Sequence, residues 1–298
     1  MKAFDVKIGI NPISWANDDL PELGGDTPLK TILSEGSEIG YRGFELGNKF
    51  PRDPIALRTV LAQYGVELVS GWYSGELARR SVEQEIEAVG PHLQLLAQNG
   101  ANVMVYGEVA DSIQGKQSVP LSRRPQFAGE EQWREYAEKL DAFARYTLSH
   151  GVRLAYHHHM GAYVETAADV DRLMSLTGPD VGLLFDSGHI TFAGANAVEV
   201  LQKHVARVCH VHCKDVRREV AREARRQDWS FLASVLKGVF TVPGDGHINF
   251  KSLLKVLHDH GYSGWLVVEA EQDPALAPSY QYAKMGFRHL SELTRALD

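Results

Sequence analysis

Short apolar runs rich in β-branched residues alternate along this chain with longer stretches whose apolar positions recur at helical spacing. The short runs are 6–10, 43–46, 67–70, 101–106, 153–156, 181–185, 207–211 and 265–268. Many are introduced by a glycine: Gly65, Gly100, Gly151, Gly178 and Gly261. Glycine tolerates the left-handed conformation that closes a helix, so the pattern reads helix, stop, strand. Strands separated by helices run parallel and are joined by right-handed crossovers. Eight of them predict a closed (β/α)8 barrel, with residues 1–298 as one domain. The alternative is an open, doubly wound sheet. Its dinucleotide-binding form is weak, because Gly9-Ile10-Asn11-Pro12 after the first strand is no glycine-rich phosphate loop.

The length of 298 residues suits such a barrel, which runs to roughly 250 residues or more. The net charge of −7 argues against nucleic acid as a partner and favours a small, weakly charged ligand. Two cysteines are too few for a disulfide framework. Residues 1–10 carry no apolar signal core, and no apolar run approaches the ~20 residues that span a bilayer. A reducing, cytoplasmic location without a membrane is expected, with a homo-oligomer left open. Segments 107–129 and 216–242 are long for connections and leave strand ends on the side where a barrel keeps its active site. Both read as lids. The arginines Arg217, Arg218, Arg222, Arg225 and Arg226 fit a solvated helix face or a subunit contact better.

Chemistry-bearing residues gather at strand ends. The segment Tyr156-His-His-His-Met160 ends the fifth strand; alternation puts His157 and His159 on one face and His158 on the other. Asp186 ends the sixth strand as either a metal ligand or a helix cap, and Gly188 permits a turn returning His189 to the mouth. In Cys209-His-Val-His-Cys-Lys-Asp215, His210, His212 and Lys214 share one face. The other holds Cys209 and Cys213, read as packing residues. Glu269 and Glu271 close the last strand. A carboxylate after three apolar residues is costly to bury without a partner. His157, Asp186, His212 and Glu269 thus form a mixed imidazole–carboxylate set from four successive strands. It suits Mn, Co, Fe, Zn or, less well, Mg.

At these residues the chain resembles the xylose-isomerase-like barrels, in Asp-Ser-Gly-His of 186–189, His-Cys-Lys-Asp of 212–215 and Gly-Trp-Leu-Val-Val-Glu of 264–269. Members generally carry Glu at the end of strand five, where this chain has His157. Within that superfamily it resembles the inosose dehydratase family over nearly its whole length. The carriers are Gly9-Ile-Asn-Pro-Ile-Ser-Trp15 with Asn17 and Asp18, Gly43-Phe-Glu-Leu-Gly47, Ser70-Gly-Trp-Tyr-Ser74, Tyr156-His-His-His-Met-Gly161 and Val242-Pro-Gly-Asp-Gly246. The resemblance implies dehydration of a keto-inositol, a Co or Mn requirement and stimulation by glutathione.

The expected chemistry is removal of a proton beside a ketone, then loss of hydroxide from the next carbon. Glu271, Glu45 and His159 are candidate bases. His189, His247 and Lys214 are candidate acids or electrostatic helpers. Asn11, Trp15, Glu45, Trp72 and His247 are the expected substrate contacts, with Tyr73 beside the tryptophans. The same enediolate serves a keto-sugar isomerase or epimerase, which is the rival reading. A repair endonuclease would want more ligands and a basic groove. A non-catalytic barrel would not need the clustered polar strand ends.

Overall fold

A computed structural model describes residues 4–297. Its strands are β1 Val6–Ile10, β2 Gly43–Leu46, β3 Glu67–Gly75, β4 Val103–Glu108, β5 Arg153–His157, β6 Gly182–Asp186, β7 Val208–Cys213, β8 Asp215–Val216, β9 Phe240–Thr241 and β10 Gly264–Val268. Eight close into a barrel in the order β1-β10-β7-β6-β5-β4-β3-β2, every pairing parallel. The short β8 and β9 form a separate antiparallel ribbon. The helices are α1 Leu29–Ile39, α2 Pro54–Gln63, α3 Val82–Gln98, α4 Glu130–Ser149, α5 Ala167–Leu176, α6 Ser187–Phe192, α7 Ala197–His204, α8 Arg218–Gln227, α9 Phe231–Leu236, α10 Phe250–Asp259 and α11 Ser279–Arg295. In α10, Asn249 caps Ser252 N–H at 3.1 Å and Phe250, Leu253, Leu254 and Leu257 form the buried stripe. No helix among the described residues is long and apolar enough to cross a membrane.

Each predicted strand is present, with two informative differences. β3 runs on to Gly75, past the polar Ser70-Gly71 that ends its apolar run, because Trp72 to Gly75 pair with Val105 to Glu108 of β4. In β7 the pairing with β6 slips between Leu183 and Leu184, a bulge around Cys209. A bulge breaks strict alternation. Cys209 therefore packs beside Val103, Val105, Ala155 and Leu184, whereas Cys213 lies in the main core. The expectation that the two cysteines share a face is corrected; both are free thiols.

The two long segments differ in role. Segment 107–129 reaches the mouth through Gln114 and is tied to the other by Leu121 N–H to Trp229 O at 3.2 Å and Ser122 N–H to Asp228 Oδ1 at 3.0 Å. Segment 216–242 builds its own small core from Val216, Ala221, Phe231, Leu232 and Phe240. It forms a wall behind the site rather than a lid. On α8, Arg222 and Arg226 are exposed and paired with Glu219 and Glu223, as on a solvated face. Arg217 instead reaches Asp245 at 2.8 Å.

Candidate metal centre

Parallel strands in a closed barrel deliver their C-terminal residues to one end. His157 ends β5, Asp186 ends β6, His212 lies next to last in β7, and Glu269 follows β10. All four are buried, and one donor atom from each lies within 4.8 Å of the others. His157 turns Nδ1 to the His158 carbonyl at 2.7 Å, leaving Nε2 to face Asp186 Oδ2 at 3.5 Å. A ring nitrogen that donates to a carbonyl leaves its partner nitrogen with a lone pair. His212 Nδ1 stands 2.8 Å from Glu269 Oε2 and 3.5 Å from Asp186 Oδ2.

Asp186 is a helix cap through one oxygen, and its other oxygen is placed where it could serve as a ligand. Its Oδ1 accepts the His189 N–H at 2.8 Å and caps α6, while the buried Oδ2 has no hydrogen-bond partner. Gly188 is helical rather than a positive-φ turn. A side chain there would meet Lys214, whose Cγ lies 2.5 Å from the place of a Cβ.

The charges set the electrostatics. Burial works to raise the carboxyls of Glu45, Asp186 and Glu269. It is outweighed for Glu45 by His212 and His210, for Asp186 by Lys214 and His189, and for Glu269 by His212 and Lys214, so all three titrate low. Burial works to lower His212, but Glu269 and Glu45 raise it well above its usual value. Lys214 is likewise raised against burial by Asp186, Glu269 and Glu271. A field strong enough to draw an extra proton onto a buried imidazole also suits a divalent cation. The Asp186 Oδ2, which accepts no hydrogen bond, the converging imidazole nitrogens and the mixed donor set fit such an ion.

Lys214 Nζ stands at the edge of this cluster, 2.8 Å from Glu269 Oε1 and 3.4 Å from Asp186 Oδ2, and two neighbouring groups with similar donors are tied together by its charge and by hydrogen bonds. His159, His189 and Glu271 converge, yet Lys214 Nζ sits among them, 3.1 Å from His189 Nε2 and 2.8 Å from Glu271 Oε1. Glu45, His210 and His212 converge as well, and there protons on the imidazoles bridge to the carboxylate.

The ligand cluster opens into a cavity of about 510 Å³. Of the expected site residues, Asn11, Glu45, Trp72, His157, His159, His212, Glu269 and Glu271 line it. Trp72 stands edge-on to His157 and His159 at 5.6 and 5.9 Å between ring centres. His159 donates from Nδ1 to the Met160 carbonyl at 2.8 Å, which leaves Nε2 with its lone pair. Burial, then the nearby His189, lowers its pKa well below the usual value.

Other expected residues stand elsewhere. Trp15 is buried in the main core, its indole N–H on Glu35 at 2.6 Å. Tyr73 is also core, its hydroxyl on Glu85. His247 is exposed and holds the Val216 carbonyl at 2.7 Å, away from the cavity lining. His189 and Lys214 are buried behind the cavity wall, with His189 also facing Met160 N–H at 3.2 Å. Asp215 organises a loop: Gly244, Gly246 and Ile248 N–H donate to it at 3.1, 3.0 and 2.9 Å. A Cβ on Gly246 would fall 2.2 Å from Asp215 Oδ1, which accounts for the second glycine of that segment.

Sequence reasoning left out Asp19, Arg52 and Gln114, which line the cavity. Burial first, then the charge of Glu271, pushes the Asp19 carboxyl up to about 7. The available signal was position alone: Asn17-Asp18-Asp19 follows the end of β1.

Comparisons with known proteins agree with the barrel fold. Residues 33–293 match the family model described as the xylose isomerase-like TIM barrel. The chain is 53% identical over 293 residues to the rhizopine catabolism protein MocC of Rhizobium meliloti, covering 98% of this chain and 90% of that one. It is 44% identical over 291 residues to an inosose dehydratase of Clostridium perfringens, covering 97% and 98%. It is also 44% identical over 293 residues to an inosose dehydratase of Geobacillus thermodenitrificans, covering 98% of each. Among solved structures, the IOLI protein with a binding zinc atom superposes with a TM-score of 0.70 at 15% identity, covering 98% and 99%. The probable 3-DHS dehydratase AsbF of Bacillus anthracis also gives 0.70, at 14% identity, covering 96% and 98%. At such identities these structures speak for the fold. With the barrel, the strand-end cluster and these relatives together, the chain belongs to the xylose isomerase-like TIM-barrel family and, within it, to the family of the inosose dehydratases.

Proposed function

We propose that this protein dehydrates 2-keto-myo-inositol to a trihydroxycyclohexane-1,2-dione in inositol breakdown, as a divalent-metal-dependent hydro-lyase. The observation that carries the reading is the buried His157, Asp186, His212 and Glu269 cluster opening onto a cavity that also exposes His159 and Glu271. The curated relatives named inosose dehydratase support the substrate. The mixed donor set favours Mn or Co, and stimulation by glutathione follows from the family resemblance.

In the proposed reaction a base takes the proton from the carbon beside the ketone. The electron pair of that C–H bond moves toward the carbonyl and gives an enediolate. It then returns to form a C=C bond as the neighbouring C–O bond breaks. The departing hydroxide takes a proton and leaves as water, and the resulting enol tautomerises to the dione. His159 Nε2 is the base, since its Nδ1 proton is held by the Met160 carbonyl, which leaves the Nε2 lone pair, and the ring lines the cavity. Asp19 is the acid, since it lines the cavity and burial raises its carboxyl to about 7. Glu271 and Lys214 fix the electrostatic frame. A divalent cation bound at the cluster supplies Lewis-acid stabilisation of negative charge on the substrate oxygens. Trp72 gives the ring an apolar wall. A reducing cytoplasmic setting suits the two free thiols.

The 53% relative favours a second reading of the same site, in which the ketone dehydrated arises during rhizopine catabolism. Incubation with 2-keto-myo-inositol, with and without Mn or Co, decides. Metal-dependent loss of one water from the product mass supports the proposal. Turnover at unchanged mass moves the protein to the isomerases and epimerases. No turnover with any metal removes this substrate.

A further inference from the structure

We propose that Glu45 is a positioning residue for the metal ligand His212, acting with His210, Ser70 and Asn11, rather than a base or a substrate contact. The inference rests on the metal reading above. Glu45 lies on β2, and its side chain crosses the barrel interior to β7. Four donors converge on it. Oε1 accepts from His210 Nε2 at 2.8 Å, His212 Nε2 at 3.0 Å and Ser70 Oγ at 2.6 Å. Oε2 accepts from Asn11 Nδ2 at 2.8 Å. Three donors crowd Oε1 and a fourth holds Oε2, against about four lone-pair sites on an ionised carboxyl, so both oxygens are engaged by the protein. Although Glu45 touches the cavity, it is spoken for.

The contact with His212 has a directional consequence. With its Nε2 proton on Glu45, the imidazole turns Nδ1 toward Glu269 Oε2 and Asp186 Oδ2, and it is the proton on Nδ1 that a cation would replace. That fixes both the ring orientation and the nitrogen that is free to ligate. The same amide of Asn11 reaches Glu269 Oε2 at 3.1 Å, so one bridge holds the carboxylate ligand as well. His210 finds a role here too: its Nε2 spends itself on Glu45, and its buried Nδ1 has no hydrogen-bond partner. A carboxylate behind a ligating histidine fixes the tautomer and increases ligand basicity, and its loss costs roughly 10- to 100-fold in metal affinity.

The test compares the full-length wild type with Glu45→Gln and Ser70→Ala. Each metal-free protein is titrated with Co(II) by calorimetry, the visible Co(II) bands are recorded, and thermal melting of the metal-free form is measured alongside. In Glu45→Gln an amide group replaces the oxygen that accepts from Asn11 or the histidines. The expected result is Co(II) affinity weaker by roughly 10- to 100-fold with shifted bands. Ser70→Ala removes one of the four donors, so it loses a few-fold while melting near the wild type; it carries the test if Glu45→Gln does not fold. Unchanged affinity and unchanged bands in the folded variants, beside normal wild-type binding, overturn the positioning role alone. A wild type that binds no Co(II) overturns the metal reading and this inference with it.

Discussion

Asp186 and Glu108 are both buried carboxyls ending strands of one barrel, yet they live under opposite electrostatics. Asp186 stays ionised because Lys214 and His189 outweigh its burial. Glu108 sits on the helix side of β4 with Tyr106, and burial pushes its carboxyl up to about 7. It accepts from Tyr106 Oη at 2.9 Å and from Ala110 and Ala78 N–H at 3.0 and 3.2 Å, but no cation appears among the causes of its shift. A strand-end carboxyl therefore becomes part of a metal centre only when alternation turns it inward and buried cations share its surroundings. Hydrogen bonds alone leave it holding a proton.

The comparison breaks most sharply at the ligands. His212→Ala and Glu269→Gln should lower metal affinity by more than about 100-fold, beyond what losing an outer partner of a ligand costs. Turnover should fall with it. Calorimetry on the folded variants checks this, and near-native affinity would dismiss the assigned set.

Lys214→Met removes the built-in cation and leaves Asp186, Glu269 and Glu271 facing one another. Breaking a buried pair in this way costs about 3–5 kcal/mol. Urea unfolding of the metal-free protein measures it, and a loss below about 1 kcal/mol would mean the ammonium is not balancing these carboxylates.

Glu108 supplies the opposite case. Its folded pKa of about 7 lies above the ordinary 4.5, so the folded chain holds a proton that the unfolded chain has released. Its stabilising contribution is whole below pH 4.5 and is lost as the pH rises through about 7. Glu108→Gln should therefore gain on the wild type between pH 5 and 8.5, by up to about 3 kcal/mol. A stability difference that stays flat over that range would contradict the shift.

The smallest effect belongs to a histidine outside the cluster. His247→Ala should leave kcat/KM within about twofold and stability within about 0.5 kcal/mol, as for an ordinary surface change. A large loss of turnover would return His247 to the site.

Much of this was legible in the residues. Glycine-stopped helices and short β-branched runs named all eight barrel strands, because those signals are local in the chain. Alternation placed His157, His159 and His212 toward the mouth, and strand-end position selected Asp186 and Glu269. The same rule misjudged Cys209, because a bulge resets alternation and leaves no mark in the apolar pattern. It nominated Trp15 and His247 from position alone, although one turned into the core and the other toward solvent.

By itself, the sequence determined the barrel, the order of its strands and the four strand-end residues able to hold a cation, since period and position suffice for these. Only the tertiary structure decided that Lys214 sits between two of the three donor groups, that Asp186 gives one oxygen to a helix cap and turns the other to the cluster, and that Glu45 reaches across the barrel to His210 and His212. Those facts depend on distances between residues remote in sequence, and the strength of a buried charge is set by which other charges surround it.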